Sequence, residues 1–304
     1  ILTSMTGCAY VTEPNLWPVL IGESVTLMLR HGRGPTHALL FAWFGTALAA
    51  MGAYEAAGRF ARLAIRLMEA PDGFAFLPKL HHAMGQFLSH WTEPLSRSVS
   101  WCQSGVALGQ RVEDTEFAGY CHMGWAKASL ETGEPLAEVH KTCAAALETI
   151  RASGQKGTEL MHLPSLQAVE NLLGLAPQPS ELRGPRYDDE VRVRAGLSNA
   201  QNGFRLLEKA RLLCFFRQRG GIALGDELIR VMNVGLPATF YFSIARYFAC
   251  LGWLQECHVG ARGWRRLKCL AKVAWSRRSL RRWAASCPES FQHRHLLVEA
   301  EWHR

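Results

Sequence analysis

Apolar residues along this chain recur at three- and four-residue steps, and β-branched residues do not alternate with polar ones over any useful length, so the pattern predicts helices and almost no strand. The rhythm is clearest at Phe41, Phe44 and Leu48 and again at Phe60, Leu63, Ala64 and Leu67, which predicts two amphipathic helices joined at Gly52-Ala53-Tyr54. A second pair, Tyr120 to Leu130 and Leu136 to Ile150, is joined through Glu131-Thr132-Gly133-Glu134-Pro135, and Phe204 to Phe216 predicts one more long helix.

The offsets inside the first hairpin say more than its helicity. Gly45, Gly52, Tyr54, Ala57 and Ala64 stand seven, two, three and seven residues apart, which resembles the tetratricopeptide helix-turn-helix. The physical demand is close packing: Gly45 lets the helices approach, Gly52 permits the turn, Tyr54 fills the wedge, and Ala57 and Ala64 face neighbours that a larger side chain would push away. The Gly133 unit matches less well, with Pro135 where the aromatic would sit. The expected fold is therefore all-α, an α-solenoid of degenerate tetratricopeptide-like hairpins. Breaks fall at Pro71-Asp72-Gly73 and at Gly154-Gln155-Lys156-Gly157. The longest polar interruption, from Pro177-Gln178-Pro179-Ser180 to Gly184-Pro185-Arg186, has enough proline and glycine to stop any helix. It marks a first part, 1–176, a polar loop at about 177–190 and a second part, 191–304, within one continuous repeat region.

Hydrophobic residues at 48% and charged residues at 20% of 304 allow a sizeable core and exclude a disordered chain. The chain opens on Ile1 with no signal-peptide pattern and reads as a piece of a longer polypeptide. Its nine cysteines, 8, 102, 121, 143, 214, 250, 257, 269 and 287, are scattered and form no C-x-x-C, so reduced, mostly buried thiols of a cytoplasmic protein are expected. Two apolar stretches tempt a membrane reading, Ala38 to Met51 and Thr239 to Leu254. The first is short and the second carries Arg246 at its middle, so buried helices and no transmembrane segment are expected.

Catalytic patterns are sparse. Gly154-Gln155-Lys156-Gly157-Thr158 has the ingredients of a phosphate loop in the wrong order, and Gly220-Gly221-Ile222-Ala223-Leu224-Gly225 misplaces the second glycine of a dinucleotide fingerprint. Gly196-Leu197-Ser198-Asn199-Ala200 approaches a nucleophile elbow but has no sheet to stand on. Among twelve histidines, His81-His82 and the pair His293 and His295 are spaced to point along different faces of a helix, which does not suit one shared ion. No catalytic, cofactor or metal residue is assigned. Trp91, in His90-Trp91-Thr92-Glu93-Pro94-Leu95, is either a ligand-facing aromatic or, as the favoured reading, a wedge anchoring one hairpin on the next.

Lys and Arg outnumber Asp and Glu by 34 to 26, and the excess is local. Arg262, Arg265, Arg266, Lys268, Lys272, Arg277, Arg278, Arg281 and Arg282 stand in a run with no Asp or Glu between Glu256 and Glu289. Trp264, Leu267, Ala271, Ala274 and Trp275 supply an apolar stripe through that run, so the expectation is an amphipathic helix with a basic solvent face. Arg277, Arg278, Arg281 and Arg282 are its candidate contacts. The alternatives are a solvated helix, an acidic neighbouring domain, or an anionic membrane surface or nucleic acid, with nucleic acid disfavoured as a partner.

Several strings carry a further resemblance: His31-Gly32-Arg33-Gly34-Pro35 leading into Phe41-Ala42-Trp43-Phe44-Gly45, then His90 to Leu95, Asp114 to Tyr120, Gln167 to Gly174, and Trp283-Ala284 through Cys287-Pro288-Glu289-Ser290-Phe291 to Leu296-Leu297-Val298-Glu299-Ala300-Glu301. Ala9-Tyr10-Val11 with Pro14-Asn15-Leu16 fits the start of the same pattern. In order and over nearly the whole chain, they resemble the tetratricopeptide-like helical region of large multidomain signalling proteins. Those proteins join a serine/threonine-kinase-like domain, a P-loop ATPase, this helical region, a GAF sensor domain and a histidine kinase. Two stretches depart from the pattern, 217–235, which lacks the aromatic turn, and 257–278, with its arginine density. The resemblance implies a non-catalytic segment that couples the ATPase module to the sensor and histidine-kinase modules, with those flanking domains, other proteins or a small signal as partners, in a two-component type of signal transduction.

Overall fold

The computed structural model describes residues 2–13, 15–32, 34–68 and 71–304, without the side chains of 2–4, 8, 11, 71 and 72. Ile1, and Pro14 and Arg33, which belong to strings quoted above, and the side chain of Cys8 lie outside the described residues. The protein is all-α: the described residues form fifteen α-helices and no strand, with Arg183 and Asp188 making one isolated antiparallel bridge. By its packing the chain divides into two compact units, Ile1–Thr132 and Gly133–Arg304. The polar loop at 177–190 lies inside the second.

The first unit holds α1 (Leu2–Thr12), α2 (Trp17–His31), α3 (His37–Ala50), α4 (Tyr54–Leu67), α5 (Leu77–Ala83), α6 (Leu95–Arg111) and α7 (Thr115–Thr132). Helices α3, α5 and α7 touch in succession, α4 packs on α3, and α6 packs on both α5 and α7. Between α5 and α6 the rod continues through a π-helical turn, Met84–Leu88, and a 3-10 turn, Ser89–Trp91. Ten residues of α3 are buried, including Leu39, Leu40, Trp43 and Ala47, which is why this apolar segment reads like a membrane helix. Among the described residues no helix is long and apolar enough to cross a membrane.

The small residues of the first hairpin lie at its helix crossing. A Cβ on Gly45 would sit 3.2 Å from the Ala57 carbonyl oxygen and 3.3 Å from Phe60 Cβ, so α3 and α4 meet nearly backbone to backbone. Ala57 and Ala64 are buried. Gly52 turns the chain with φ +82°, a conformation that L side chains resist. Gly133 shares that φ of +82° but has nothing within 4 Å of its Cβ position, so it serves a turn and no close contact. The tightest crossing in this unit, α6 on α7, escapes the tetratricopeptide offsets. There a Cβ on Gly109 would lie 2.7 Å from Ala118 Cβ, and one on Gly105 would press on Cys121.

The second unit holds α8 (Leu136–Ala152), α9 (Lys156–Leu172), α10 (Asp189–Ala195), α11 (Asn199–Phe215), α12 (Gly221–Gly235), α13 (Phe240–Val259), α14 (Gly263–Ser286) and α15 (Pro288–His303). Helices α9, α11, α13 and α15 touch in succession; α8 pairs with α9, α12 bridges α11 and α13, and α14 bridges α13 and α15. Each helix thus packs on elements one or two places away in the chain, as in repeat architectures. In the 217–235 stretch, α12 forms without the missing aromatic because its Gly221 abuts the Gly252 backbone of α13. The Glu256 carboxylate of α13 accepts from the Gly220 and Gly221 N–H groups, the latter at 3.2 Å, and so satisfies donors at the start of α12.

The polar loop is stitched down. The Asn171 amide of α9 donates to the carbonyls of Gln178, Pro179 and Glu181, at 3.0 Å for Pro179, while Gln167 donates to Asn171 Oδ1 at 2.9 Å. Leu182 and Tyr187 are buried. The loop ends at Asp188, which caps α10, and at Asp189, whose carboxylate accepts from Arg205 at 3.1 Å and Lys209 at 2.6 Å on α11.

Two consequences can be measured by denaturant unfolding. Gly109→Ala is expected to destabilise by about 1–3 kcal/mol through overpacking, whereas Gly22→Ala, with nothing within 4 Å, is neutral or stabilising by about 0.5–1 kcal/mol. Asp189→Ala takes from the buried Arg205 guanidinium its two-oxygen partner, leaving the longer 4.0 Å pair with Glu227, and is expected to cost about 2–4 kcal/mol.

Candidate functional site

Each chemical motif of the sequence has a structural occupation. Gly154 turns α8 into α9 with φ +70°, and the Lys156 ammonium lies 3.3 Å from Glu159, where it pairs instead of facing a phosphate. Ser198 is the N-cap of α11: its hydroxyl accepts from the Gln201 N–H at 3.3 Å while its own N–H donates to Gln201 Oε1 at 2.9 Å. Gly220-Gly221 is the connection into α12 described above. Among the described residues no three His, Cys, Asp or Glu side chains are grouped to hold a metal ion. Those cysteines that are described carry free thiols, and burial pushes the Cys102 and Cys250 thiols up to about 12.

Trp91 is 1% exposed, its indole N–H donates to the Phe87 carbonyl at 2.9 Å, and its ring stacks on Tyr54 with centroids 4.3 Å apart. A ring sealed this way cannot meet a ligand, so the groove-facing reading of Trp91 gives way to the wedge. The wedge pairs it with Tyr54, the aromatic expected at that place in the hairpin. A crevice beside α3 and α5, lined by His37, Leu39, Leu67 and Leu80, has room for about one water molecule.

The basic helix differs from its sequence reading on one point that matters. Its buried face is Cys269, Val273, Ser276, Leu280 and Trp283, not the stripe of Trp264, Leu267 and Trp275, which are 70%, 59% and 52% exposed. Both stripes have helical spacing; α13 and α15 cover the one that includes Val273, Leu280 and Trp283. Of the four candidate arginines, Arg278, Arg281 and Arg282 are exposed, whereas Arg277 is committed to α15. Its guanidinium grips the Glu299 carboxylate, with Nε 2.7 Å from Oε1, and lies 4.4 Å from the Trp302 ring centroid. That grip holds the Glu299 carboxyl below its usual range. Lys272 is likewise committed, bonding both Asp226 oxygens at 2.7 and 2.6 Å. What remains outward is a line of Trp264, Leu267, Ala271, Trp275, Arg278 and Arg282, each three or four residues from the next along one strip, with Lys268 beside Leu267. Beneath Trp275, the buried Arg246 guanidinium of α13 lies 4.0 Å from the ring centroid and fixes the indole from below. Sequence periodicity located this helix but not its outer face, because either stripe satisfies the same rule.

The adjacent histidines occupy the first unit's core. His82 is ringed by Trp43, Phe87, Phe117 and Tyr120, with centroids 5.4 to 6.5 Å away, and Gln86 Nε2 donates to its Nδ1 at 2.9 Å. Burial pushes the His82 imidazole down to about 3 and also lowers His81 and His122. The unfolded chain binds these protons near pH 6.5. The stabilising contribution of the neutral His82 ring is therefore complete above that value and is lost as pH falls toward 3, by up to about 1.4 kcal/mol per pH unit, and His81 and His122 act in the same direction. Melting followed by circular dichroism is expected to show a falling Tm already between pH 6.5 and 5, and His82→Phe is expected to flatten that slope. An identical slope in the variant would remove His82 from the account.

The chain matches no family model and no curated protein.

Proposed function

We propose that this segment is a non-catalytic helical-repeat scaffold of a cytoplasmic signalling protein, coupling an upstream ATPase module to downstream GAF-sensor and histidine-kinase modules. The observation that supports it best is the packing order within each unit. Helices touch neighbours one or two places away, and the small-residue crossings at Gly45, Gly109 and Gly221–Gly252 hold them at minimal separation. In such an array a small rotation at one crossing is handed to the next, so a partner or small signal bound along it can bias its curvature. The modules themselves come from the resemblance of His31 to Pro35, His90 to Leu95 and the Trp283 to Glu301 stretch to large kinase–ATPase–GAF signalling proteins. The polypeptide that contains this chain is then expected to carry a Walker loop before it and a histidine-kinase core after it.

Excising residues 1–304 from that polypeptide is expected to reduce signal-stimulated autophosphorylation to its unstimulated level while ATP hydrolysis by the upstream module persists. Stimulation that survives the excision overturns the coupling role.

A further inference from the structure

We propose that the outward face of α14 is a docking surface for an anionic lipid bilayer. The inference rests on charge, apolarity and shape together, and it stands independently of the scaffold reading.

Arg262, Arg265, Arg266, Lys268, Arg278, Arg281 and Arg282 are exposed and make no ion pair among the described residues. The two cations of the helix that face protein acids, Lys272 and Arg277, have already neutralised Asp226 and Glu299. Lys268, Arg278, Arg281 and Arg282 share the outward side of the helix, whereas Arg265 and Arg266 project from the side of Cys269 one turn beyond it; the outward side carries cations and no acid and is complementary to an anionic surface. Interspersed on it are Trp264, Leu267 and Trp275, all more than half exposed, with Val259 at the end of α13 exposed to 58%. Leucine and valine gain nothing from a sugar–phosphate backbone, but the boundary between headgroups and acyl chains receives them. Tryptophan prefers that depth, and arginine reaches from it to lipid phosphates. The shape agrees. A 24-residue helix is about 36 Å long and presents a rounded outer side, not a groove, which suits a flat surface, whereas single-stranded nucleic acid is held in grooves. Arg246 stiffens the arrangement by clamping Trp275 from the protein side, 4.0 Å from its ring centroid, so the indole presents its other side outward at little entropic cost.

The binding this produces is peripheral. The opposite face of α14 stays committed to α13 and α15, and the helix lies along the interface with its tryptophans at headgroup depth.

The test is sedimentation of the 304-residue chain with phosphatidylcholine vesicles that contain or lack 40% phosphatidylglycerol, at about 0.1 M salt. Partition into the anionic vesicles alone, weakening as salt is raised, is expected. The triple variant Arg278→Glu, Arg281→Glu, Arg282→Glu is expected to lower that partition roughly tenfold or more. The pair Trp264→Ser, Leu267→Ser is expected to lower it severalfold at unchanged net charge. Both sets are exposed, so circular dichroism and Tm should stay as in the parent. Arg59→Glu, Arg62→Glu, Arg66→Glu on α4, which changes net charge equally, is expected to retain most of the binding. Three results overturn the proposal: no partition into anionic vesicles, equal losses from the α4 and α14 triple variants, or preferred binding of a single-stranded oligonucleotide that ignores Trp264 and Leu267.

Discussion

The distance between neighbouring helices is the constraint from which the rest follows. At Gly105, Gly109 and the Gly221–Gly252 pair one helix meets another with no room for a methyl group, and at Gly45 there is room only if the neighbours give slightly. Main chain meets main chain at Gly221–Gly252 and meets small side chains, Cys121 and Ala118, at Gly105 and Gly109; these contacts fix the separation of the rods and leave the remaining interior to be filled by side chains of matching size. Ala57, Ala64, Cys102, Cys121 and Ala118 are buried beside these crossings, and each is small for the same reason. The larger side chains, Trp91, Trp283, Phe204 and Phe291, are displaced to the wedges between crossings, where they are sealed almost completely.

That division of labour explains which parts of the molecule the sequence discloses. The α3–α4 hairpin was legible because its glycine and alanine offsets are mutually consistent, and Tyr54 and Trp91 even find each other across it. The α6–α7 crossing is tighter still, yet Gly105 and Gly109 look like ordinary helix interruptions until Cys121 and Ala118 are placed against them. The polar loop was visible as a loop but not as a fixed one. Proline and glycine announce an end to helix, whereas the anchoring comes from Asn171 and Gln167, two amides on a helix more than six residues earlier in the chain.

The basic helix shows the limit of periodicity most plainly. Trp264, Leu267 and Trp275 are the larger apolar residues and promise the buried side, but Cys269, Val273, Leu280 and Trp283 take it with Ser276 among them. Burial is settled by which stripe the flanking helices can cover, a tertiary decision that local hydrophobicity does not encode. Arg277 is separated from Arg278 for the same reason: turning the buried stripe inward sweeps residue 277 against Glu299 of α15 and leaves its sequence neighbour in solvent.

Glu256 sits near the C-terminal end of α13, and its carboxylate closes on the N–H groups that begin α12. Helix starts ordinarily fray first, since their amides lack partners within the helix. Here the opening of that turn must break a bond to the far end of the adjoining rod. Fraying of α12 at its start is therefore opposed by a side chain of α13, which ties the stability of that turn to the neighbouring helix.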